Sequence, residues 1–376
     1  GMASLSVRAL PARPWRAFRP CLTKALRQRN CARLITTWEH PVLDCSILSQ
    51  TFGDKAFGES AKEKKLLGEM RAALTTKGYF YTSNIDFLPE SYIEQVYAYH
   101  DRLHSLPNAV KRKFLEPLGT YSGLDLGVEH SEMSYEPGTI SSVRGWDYER
   151  VQFREKKAIY PDEAVITPAF AVYLDGLYER QNKLGAILMG AFAKMLELPI
   201  DAFSRHFRGC EMGTLRLLHY PGAKNEEAAT KANRGISAHT DFELFTLMHQ
   251  DAAGLQFLPP GDSSSWVDAP VRPDGFVVIV GDVLERFTNG VLKATPHRVL
   301  NTQHSRRSII RFNAVHPETL IEPMKEFVSD DSPPRYTPVR MKTHMATTLQ
   351  NLREGKGAWD STNNRSVTAN YVYPCP

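Results

Sequence analysis

Apolar residues recur at helical spacing in four segments of the chain. In the first segment, Leu66, Leu67, Met70 and Leu74 fall on one face of a helix. The second segment is closed by Pro107, which cannot continue a helix. The pattern predicts helices over residues 62–76, 92–106, 170–196 and 339–352.

From residue 206 onward, the pattern changes to short apolar runs separated by turn residues. Pro259-Pro-Gly261, Gly281-Asp282 and Asn289-Gly290 mark three of the breaks. Many short strands between regular turns are typical of a β-sandwich or a β-barrel. We expect strands at residues 215–220, 244–248, 255–258, 266–269, 276–280 and 308–312, with two earlier strands at 41–44 and 78–82.

The segment 119–145 follows neither pattern. It contains several Gly and Ser residues, one proline (Pro137) and scattered acidic residues. Long segments of this kind often line a ligand site. We therefore expect a long ordered loop there.

The first 38 residues have a composition of their own. Eight basic residues lie between Met2 and Trp38, and the first acidic residue is Glu39. An Arg-rich segment without acids is typical of a mitochondrial transit peptide. The alternatives are a chloroplast address and a disordered basic arm on a cytoplasmic protein. We interpret Gly1, which precedes Met2, as a residue left by cloning.

Without the first 38 residues, the net charge of the chain changes sign. The chain has 46 basic and 42 acidic residues, a formal charge of +4, and without the eight basic residues among those 38 the balance is −4. The rest of the chain therefore gives little support to a nucleic-acid partner.

No apolar run approaches the roughly 20 residues of a membrane span. The five cysteines include no C-x-x-C pair, which indicates neither a disulfide framework nor a zinc cluster.

Two histidines and one aspartate suggest a metal centre. His239 and Asp241 are two residues apart, so on an extended segment both side chains point to the same side. His297 comes much later in the chain and would have to lie on a neighbouring strand. Two imidazoles and a carboxylate on one face of a metal leave three positions open, as in non-haem Fe(II) oxygenases. For His239 and Asp241 alone, a surface turn is the alternative.

Arg306 and Ser308 follow His297 by about one strand length and share a strand face. A guanidinium donates two bonds to a carboxylate, and a hydroxyl adds a third. This pair suits the far carboxylate of a dicarboxylate whose other end chelates the metal. Tyr220, on a separate strand, is a further candidate donor. Taken alone, Arg306 and Ser308 also fit a solvated basic turn.

In their order along the chain, these residues resemble a known protein family. It is the isopenicillin N synthase-like family of 2-oxoglutarate- and Fe(II)-dependent dioxygenases, and the likeness covers residues 41–317. The motifs that carry it are His239-Thr-Asp241, Gly254-Leu-Gln256, Trp266, Gly281-Asp282, Thr288-Asn-Gly290, Pro296-His-Arg-Val299 and Arg306-x-Ser308-x-x-x-Phe312.

The resemblance implies a mainly β fold with flanking helices and a distorted double-stranded β-helix (jelly-roll) core. It also implies an enzyme that uses Fe(II), 2-oxoglutarate and O2, hydroxylates a small organic molecule and releases succinate and CO2. One departure is Leu218, because many members have Asn two residues before the tyrosine. The implied iron ligands are His239, Asp241 and His297, and the implied 2-oxoglutarate contacts are Arg306, Ser308 and Tyr220.

With this family in view, we expect four parts in the chain. Residues 1–38 hold the cloning residue and the transit segment, and residues 39–205 form an N-terminal α/β region that packs on the core. Residues 206–325 form the Fe(II)/2-oxoglutarate jelly-roll core. Residues 326–376 contribute a C-terminal helix and a tail.

Four residues are candidates for contact with the substrate. Arg216 lies four residues before Tyr220, so on a strand both share one face. If Arg216 faces the pocket, the substrate carries an acidic group; the alternative is a solvent-facing strand edge. Phe312 lies on the strand face of the carboxylate site. Tyr121 and Trp146 lie on or just after the long loop and are candidates for a lid. Ordinary packing is the alternative for these three aromatic residues.

Two other functions fit the same motifs. A same-fold Fe(II) oxidase that uses no 2-oxoglutarate can keep the Arg-x-Ser pair for the carboxylate of its own substrate. A non-catalytic binding protein can keep the metal as a structural element. Fold alone does not choose among these functions, since one scaffold supports many reactions.

Overall fold

A computed structural model describes most of the chain after residue 37. The described residues are 38–51, 57–111, 123–124, 135–136, 140–141, 143–148, 169–207, 211–222, 233–260, 265–360 and 365–366. Residues 1–37, which hold nearly all of the predicted transit segment, and Tyr121 lie outside them. Everything below concerns the unit that begins at Glu39.

The four predicted helices are present, with bounds that differ by up to two residues. A capping box explains the start of the first one, because Ser60 and Glu63 satisfy each other's free backbone N–H groups. The helices in the described residues are α1 (Ser46–Thr51), α2 (Ala61–Thr76), α3 (Glu90–Ser105), α4 (Asn108–Lys111), α5 (Ala169–Met195), α6 (Asp282–Phe287) and α7 (Met341–Arg353).

The strands are short, as expected from the turn residues between them. Those in the described residues are β1 (Val42–Asp44), β2 (Tyr79–Ser83), β3 (Gly123–Leu124), β4 (Ile140–Ser141), β5 (Arg144–Tyr148), β6 (Leu215–Tyr220), β7 (Asn233–Arg234), β8 (Ile236–His239), β9 (Phe245–Gln250), β10 (Leu255–Phe257), β11 (Val267–Asp268), β12 (Val277–Val280), β13 (His297–Val299), β14 (Arg306–Asn313), β15 (Leu320–Ile321), β16 (Val339–Arg340), β17 (Trp359–Asp360) and β18 (Arg365–Ser366).

Two sheets build the core. The major sheet has the order β1-β2-β12-β9-β14-β6-β5-β3, and the minor sheet has the order β11-β10-β13-β8. Apart from the parallel pair β1–β2, neighbouring strands in both sheets are antiparallel. This arrangement confirms the mainly β fold with a jelly-roll core.

Strands from before residue 206 also belong to the major sheet. β1 and β2 extend one end of it, and β3 and β5 extend the other. A glycine explains the tight passage from α2 into β2: Gly78 has φ of +78°, and a Cβ there would meet the Thr295 hydroxyl at 2.2 Å. The N-terminal region is therefore joined to the barrel by continuous hydrogen bonding.

Side chains alternate between two separate cores along the major sheet. Leu217 of β6 and Ile309 of β14 face the outer core, which lies between the major sheet and helices such as α2 and α5. Leu218 of β6 and Ile310 of β14 face the inner core, which lies between the two sheets. The inner core also contains Phe257 from the minor sheet. Polar residues that point into the inner core are therefore shielded from solvent.

Three local expectations need correction. The segment 119–145 is not all loop, because β3, β4 and the start of β5 lie in it. The break expected at Gly281-Asp282 begins a short helix, α6, with Gly281 as its N-cap. Val339 and Arg340 form β16, and α7 begins at Met341. In the part of the chain that the structure describes, no helix has the length and apolar character needed to span a bilayer.

Candidate active site

The predicted metal residues meet at the edge of the minor sheet. His239 ends β8 and His297 begins β13, and the two residues are paired across these antiparallel strands. Asp241 Oδ1 lies 3.6 Å from Nε2 of each histidine. All three side chains are buried. The spacing of their ligand atoms, all within 4.8 Å of one another, suits a single metal ion.

The backbone sets the direction of both imidazoles. His239 Nδ1 donates to the Ser237 carbonyl and His297 Nδ1 donates to the Thr295 carbonyl, each at 2.9 Å. A proton on Nδ1 leaves the Nε2 lone pair free, and Nε2 is the atom that faces Asp241. Burial lowers the pKa of His239 to about 3, so its imidazole is neutral at physiological pH. A neutral imidazole is the form that binds a metal.

A hydroxyl fixes the carboxylate. Thr246 on β9 donates its hydroxyl proton to Asp241 Oδ2 at 2.5 Å. Oδ1 is thereby left to face the two histidines. A metal ligand held in this way binds more tightly, because its orientation is set before the metal arrives. The donor set of two imidazole nitrogens and one carboxylate oxygen fits Fe(II).

The predicted carboxylate site is also assembled. Arg306 and Tyr220 are paired across β14 and β6, and the Arg306 guanidinium lies 4.6 Å from the centre of the Tyr220 ring. Three polar atoms at this site are buried and have no hydrogen-bond partner among the described residues: Arg306 Nη1, Ser308 Oγ and Tyr220 Oη. Buried donors without partners are rare, and together they fit an incoming carboxylate.

The other nitrogens of Arg306 are bound by the protein. Nε donates to the Ala252 carbonyl at 3.2 Å, and Nη2 donates to Gln250 Oε1 at 2.8 Å. The sequence motifs missed Gln250. Gln250 ends β9 and lies directly across from Ser308. Only the register between β9 and β14 shows this, so the sequence alone could not identify Gln250.

Of the four candidate substrate contacts, two have described side chains. Arg216 lies on the same face of β6 as Tyr220, and its guanidinium is 5.6 Å from the ring centre of Phe312, which packs against the inner core. The positive charge of Arg216 is close enough to oppose protonation of His239. The position of Trp146 is in β5, but its side chain lies outside the description, as does all of Tyr121.

A tyrosine that the motifs did not include covers the metal residues. The Tyr135 ring stacks on the His239 ring, with centroids 4.1 Å apart and planes 13° from parallel. Its backbone N–H donates to the Ser237 hydroxyl, and its carbonyl accepts from the N–H groups of Ala358 and Trp359. The long segment and the C-terminal segment therefore meet above the site.

An acidic residue adjoins the metal residues. Glu243 is buried, and burial raises its pKa to about 8, with the nearby charge of Asp241 acting in the same direction. The motifs did not include Glu243 either, because its burial beside Asp241 depends on how the chain turns after β8.

Comparisons with known proteins agree with this geometry. Residues 212–314, which include all the metal and carboxylate-site residues, match the family model for the 2OG-Fe(II) oxygenase superfamily. The 2-oxoglutarate-dependent dioxygenase citB of Monascus ruber is 28% identical over 263 residues, covering 66% of this chain and 78% of that protein. The 2-oxoglutarate-dependent dioxygenase ecdK of Aspergillus rugulosus is 27% identical over 339 residues, covering 82% and 99%.

A solved structure shows the same fold. A full-length protein of Neurospora crassa, solved in complex with alpha-KG and 5-formyluracil, has a TM-score of 0.70 at 22% identity and covers 84% of this chain and 96% of its own. The matches confirm the family that the sequence motifs indicated, and they do not favour the oxidase or the non-catalytic alternative. Residues 212–314 therefore form a domain of the 2OG-Fe(II) oxygenase superfamily, and the chain is a dioxygenase that uses Fe(II), 2-oxoglutarate and O2.

Proposed function

We propose that the chain hydroxylates a small organic substrate with an acidic group, and that succinate and CO2 are released. The observation that carries the substrate class is the inward position of Arg216. It lies beside Phe312 and acts electrostatically on His239 and Glu243. A half-buried guanidinium on the inner face of the sheet favours an anionic partner, because charges there are less screened than at the open surface.

We assign the binding roles by atom. Nε2 of His239, Nε2 of His297 and Oδ1 of Asp241 would hold Fe(II), since these atoms converge and the opposite side of each group is already hydrogen-bonded. Bound Fe(II) supplies the activation of O2 that couples oxidation of 2-oxoglutarate to oxidation of the substrate.

The protein's own residues position the co-substrate. Arg306 Nη1, Ser308 Oγ and Tyr220 Oη would donate to its C5 carboxylate, which satisfies three buried donors at once. Burial in the inner core excludes water from this pocket and strengthens each of these hydrogen bonds. Tyr135 would limit access to the metal from the side of His239.

The test compares matched substrates. The Fe(II) protein is incubated with 2-oxoglutarate, isotopically labelled O2 and pairs of small acids and their amides. Succinate and labelled product are then quantified by mass spectrometry. We expect acids to stimulate succinate formation and to gain one labelled oxygen, and we expect Arg216→Gln to reduce the preference for acids. Turnover of amides and acids at equal rates would contradict the acidic class.

A variant controls for the metal. His239→Ala should lose bound iron and all stimulated succinate formation, because one of only three protein ligands is removed. A His239→Ala protein that keeps iron and activity would contradict the metal assignment.

We also propose that the protein is mitochondrial. The Arg-rich, acid-free composition of residues 2–38 supports this location. A fluorescent protein fused after residues 2–38 should enter mitochondria, and a variant with the eight basic residues changed to Gln should not. A wild-type fusion that stays in the cytosol or enters chloroplasts would contradict the proposal.

A further inference from the structure

Arg306 is a buried charge without a counter-ion among the described residues. Its side chain is fully buried, with 0% of its surface exposed. No carboxylate in the described residues lies within ion-pair distance of it. An isolated buried charge is destabilising, and proteins usually pair it.

The group that holds Arg306 is a neutral amide. Gln250 Oε1 accepts from Arg306 Nη2 at 2.8 Å. The other side of the amide is also fixed, since Gln250 Nε2 donates to the carbonyls of Pro270 at 3.1 Å and Ala269 at 3.4 Å. These carbonyls accept only, so a flip of the amide would place oxygen against oxygen. The oxygen of Gln250 therefore faces the guanidinium in a single orientation.

The contact with Gln250 fixes the orientation of the Arg306 guanidinium without neutralising its charge. Gln250 and Ala252 occupy Nη2 and Nε of Arg306, which turns Nη1 toward Ser308 and Tyr220. An amide oxygen fixes the guanidinium but leaves its positive charge uncompensated. A glutamate with the same reach would fix the guanidinium and neutralise it.

We propose that Gln250 is a positioning residue for the co-substrate: it holds Arg306 by a neutral hydrogen bond, so that the full charge of Arg306 remains available to a dicarboxylate. This inference rests on the proposed binding of 2-oxoglutarate by Arg306. It makes the residue opposite Ser308 a determinant of selectivity between dicarboxylic and monocarboxylic 2-oxo acids.

The experiment measures this selectivity directly. The dissociation constants of 2-oxoglutarate and of 2-oxopentanoate, which lacks the far carboxylate, are determined with the anaerobic Fe(II) protein from its charge-transfer absorption. We expect Gln250→Glu to reduce the preference for 2-oxoglutarate by roughly tenfold or more, because the new carboxylate competes for Arg306. Affinity for 2-oxopentanoate should stay within about twofold, since that ligand does not need the guanidinium.

A second variant covers a possible loss of stability. In Gln250→Glu the second carboxylate oxygen faces the carbonyls of Ala269 and Pro270, which is unfavourable. Gln250→Met keeps the shape of the side chain and adds no charge, but it removes the hydrogen bond to Arg306 Nη2. It should reduce the preference for 2-oxoglutarate by a few-fold, less than Gln250→Glu does.

A matched control has the same chemistry elsewhere. Gln256 on β10 also accepts from an arginine, Arg298, at 2.8 Å, and donates to Asp268 at 2.7 Å. Gln256→Glu should leave both dissociation constants unchanged, because this residue faces away from the inner core.

The outcomes separate the inference from the function on which it rests. A wild-type protein without preference for 2-oxoglutarate would contradict the proposed function. A wild-type preference that survives in both Gln250 variants, or affinities for the two acids that fall together, would overturn the role of Gln250. A purely structural role predicts the second of these results.

Discussion

The arginines on the two faces of strand β14 have different partners. On the outward face, Arg311 is buried and forms an ion pair with Glu211, while its guanidinium also binds Asn182. Arg307, on the same face, pairs with Asp251 and Asp101. On the inward face, Arg306 has only neutral acceptors among the described residues.

The difference separates a structural charge from a ligand-binding charge. Burial acts to lower the pKa of Arg311 and of Arg307, but neighbouring carboxylates outweigh it and raise both pKa values, as expected for ion pairs that are complete within the protein. The inward face instead leaves three donors without partners among the described residues. The outward arginines should therefore act on stability, and the inward arginine on binding.

Removing the inward charge should have the largest effect. Arg306→Leu is expected to raise the dissociation constant of 2-oxoglutarate by roughly 100- to 5,000-fold, because loss of one partner of a buried charge pair costs about 3–5 kcal/mol. The free protein should lose less stability than Arg311→Leu does, because loss of the hydrogen bonds to Gln250 and Ala252 is offset by removal of an unpaired buried charge. Anaerobic titration and urea unfolding measure the two quantities, and a stability loss equal to that of Arg311→Leu would contradict the comparison.

The outward ion pair should give the reverse result. Arg311→Leu leaves Glu211 nearly buried without its partner, so we expect the free energy of unfolding to fall by about 3 kcal/mol. The folded fraction should bind 2-oxoglutarate within about twofold of wild type. Urea unfolding checks the first value, and adding Glu211→Gln should restore part of the loss. If fully folded Arg311→Leu protein bound 2-oxoglutarate much more weakly than wild type, the outward arginine would also act on binding, which contradicts the comparison.

A single hydroxyl should give an intermediate effect. Ser308→Ala removes one donor to the proposed carboxylate and should raise the dissociation constant by roughly tenfold, the lower end for a hydrogen bond to a charged group. Stability of the free protein should hold, because Ser308 Oγ has no partner in the described residues. Ser305→Ala, at an exposed neighbouring hydroxyl that His219 contacts at 3.0 Å, is the control and should leave the dissociation constant unchanged.

The smallest effect should come from Arg307. One of its partners, Asp101, is largely exposed, so Arg307→Gln should lower the free energy of unfolding by about 1 kcal/mol or less. The difference from wild type should shrink further in high salt, which screens exposed charges. Unfolding at two salt concentrations tests this, and a salt-independent loss would show that Arg307 acts as a buried charge.

Much of the site could be predicted because it follows local rules. The two-residue period of a strand placed Arg306 with Ser308 and Arg216 with Tyr220, and the structure has each pair on one face. Helix spacing likewise gave α2, α3, α5 and α7 within two residues at their bounds. These predictions needed only short stretches of sequence.

The remaining features depend on distant parts of the chain. Gln250 matters because β9 and β14 pair in one particular register, and Tyr135 matters because a long segment returns to His239. The partners of Arg307 and Arg311 come from other elements, so the sequence around 306–311 does not distinguish the three arginines. Side-chain partners across the fold decide this, and no local pattern encodes them.

The cover above His239 ties the metal centre to a late part of the chain. Tyr135 is secured by the backbone N–H groups of Ala358 and Trp359, which come well after all three metal ligands in the sequence. A truncation before Ala358 would therefore keep every one of these ligands and remove both donors to the Tyr135 carbonyl. The C-terminal segment thereby acts on the surroundings of the metal without supplying any of its three assigned ligands.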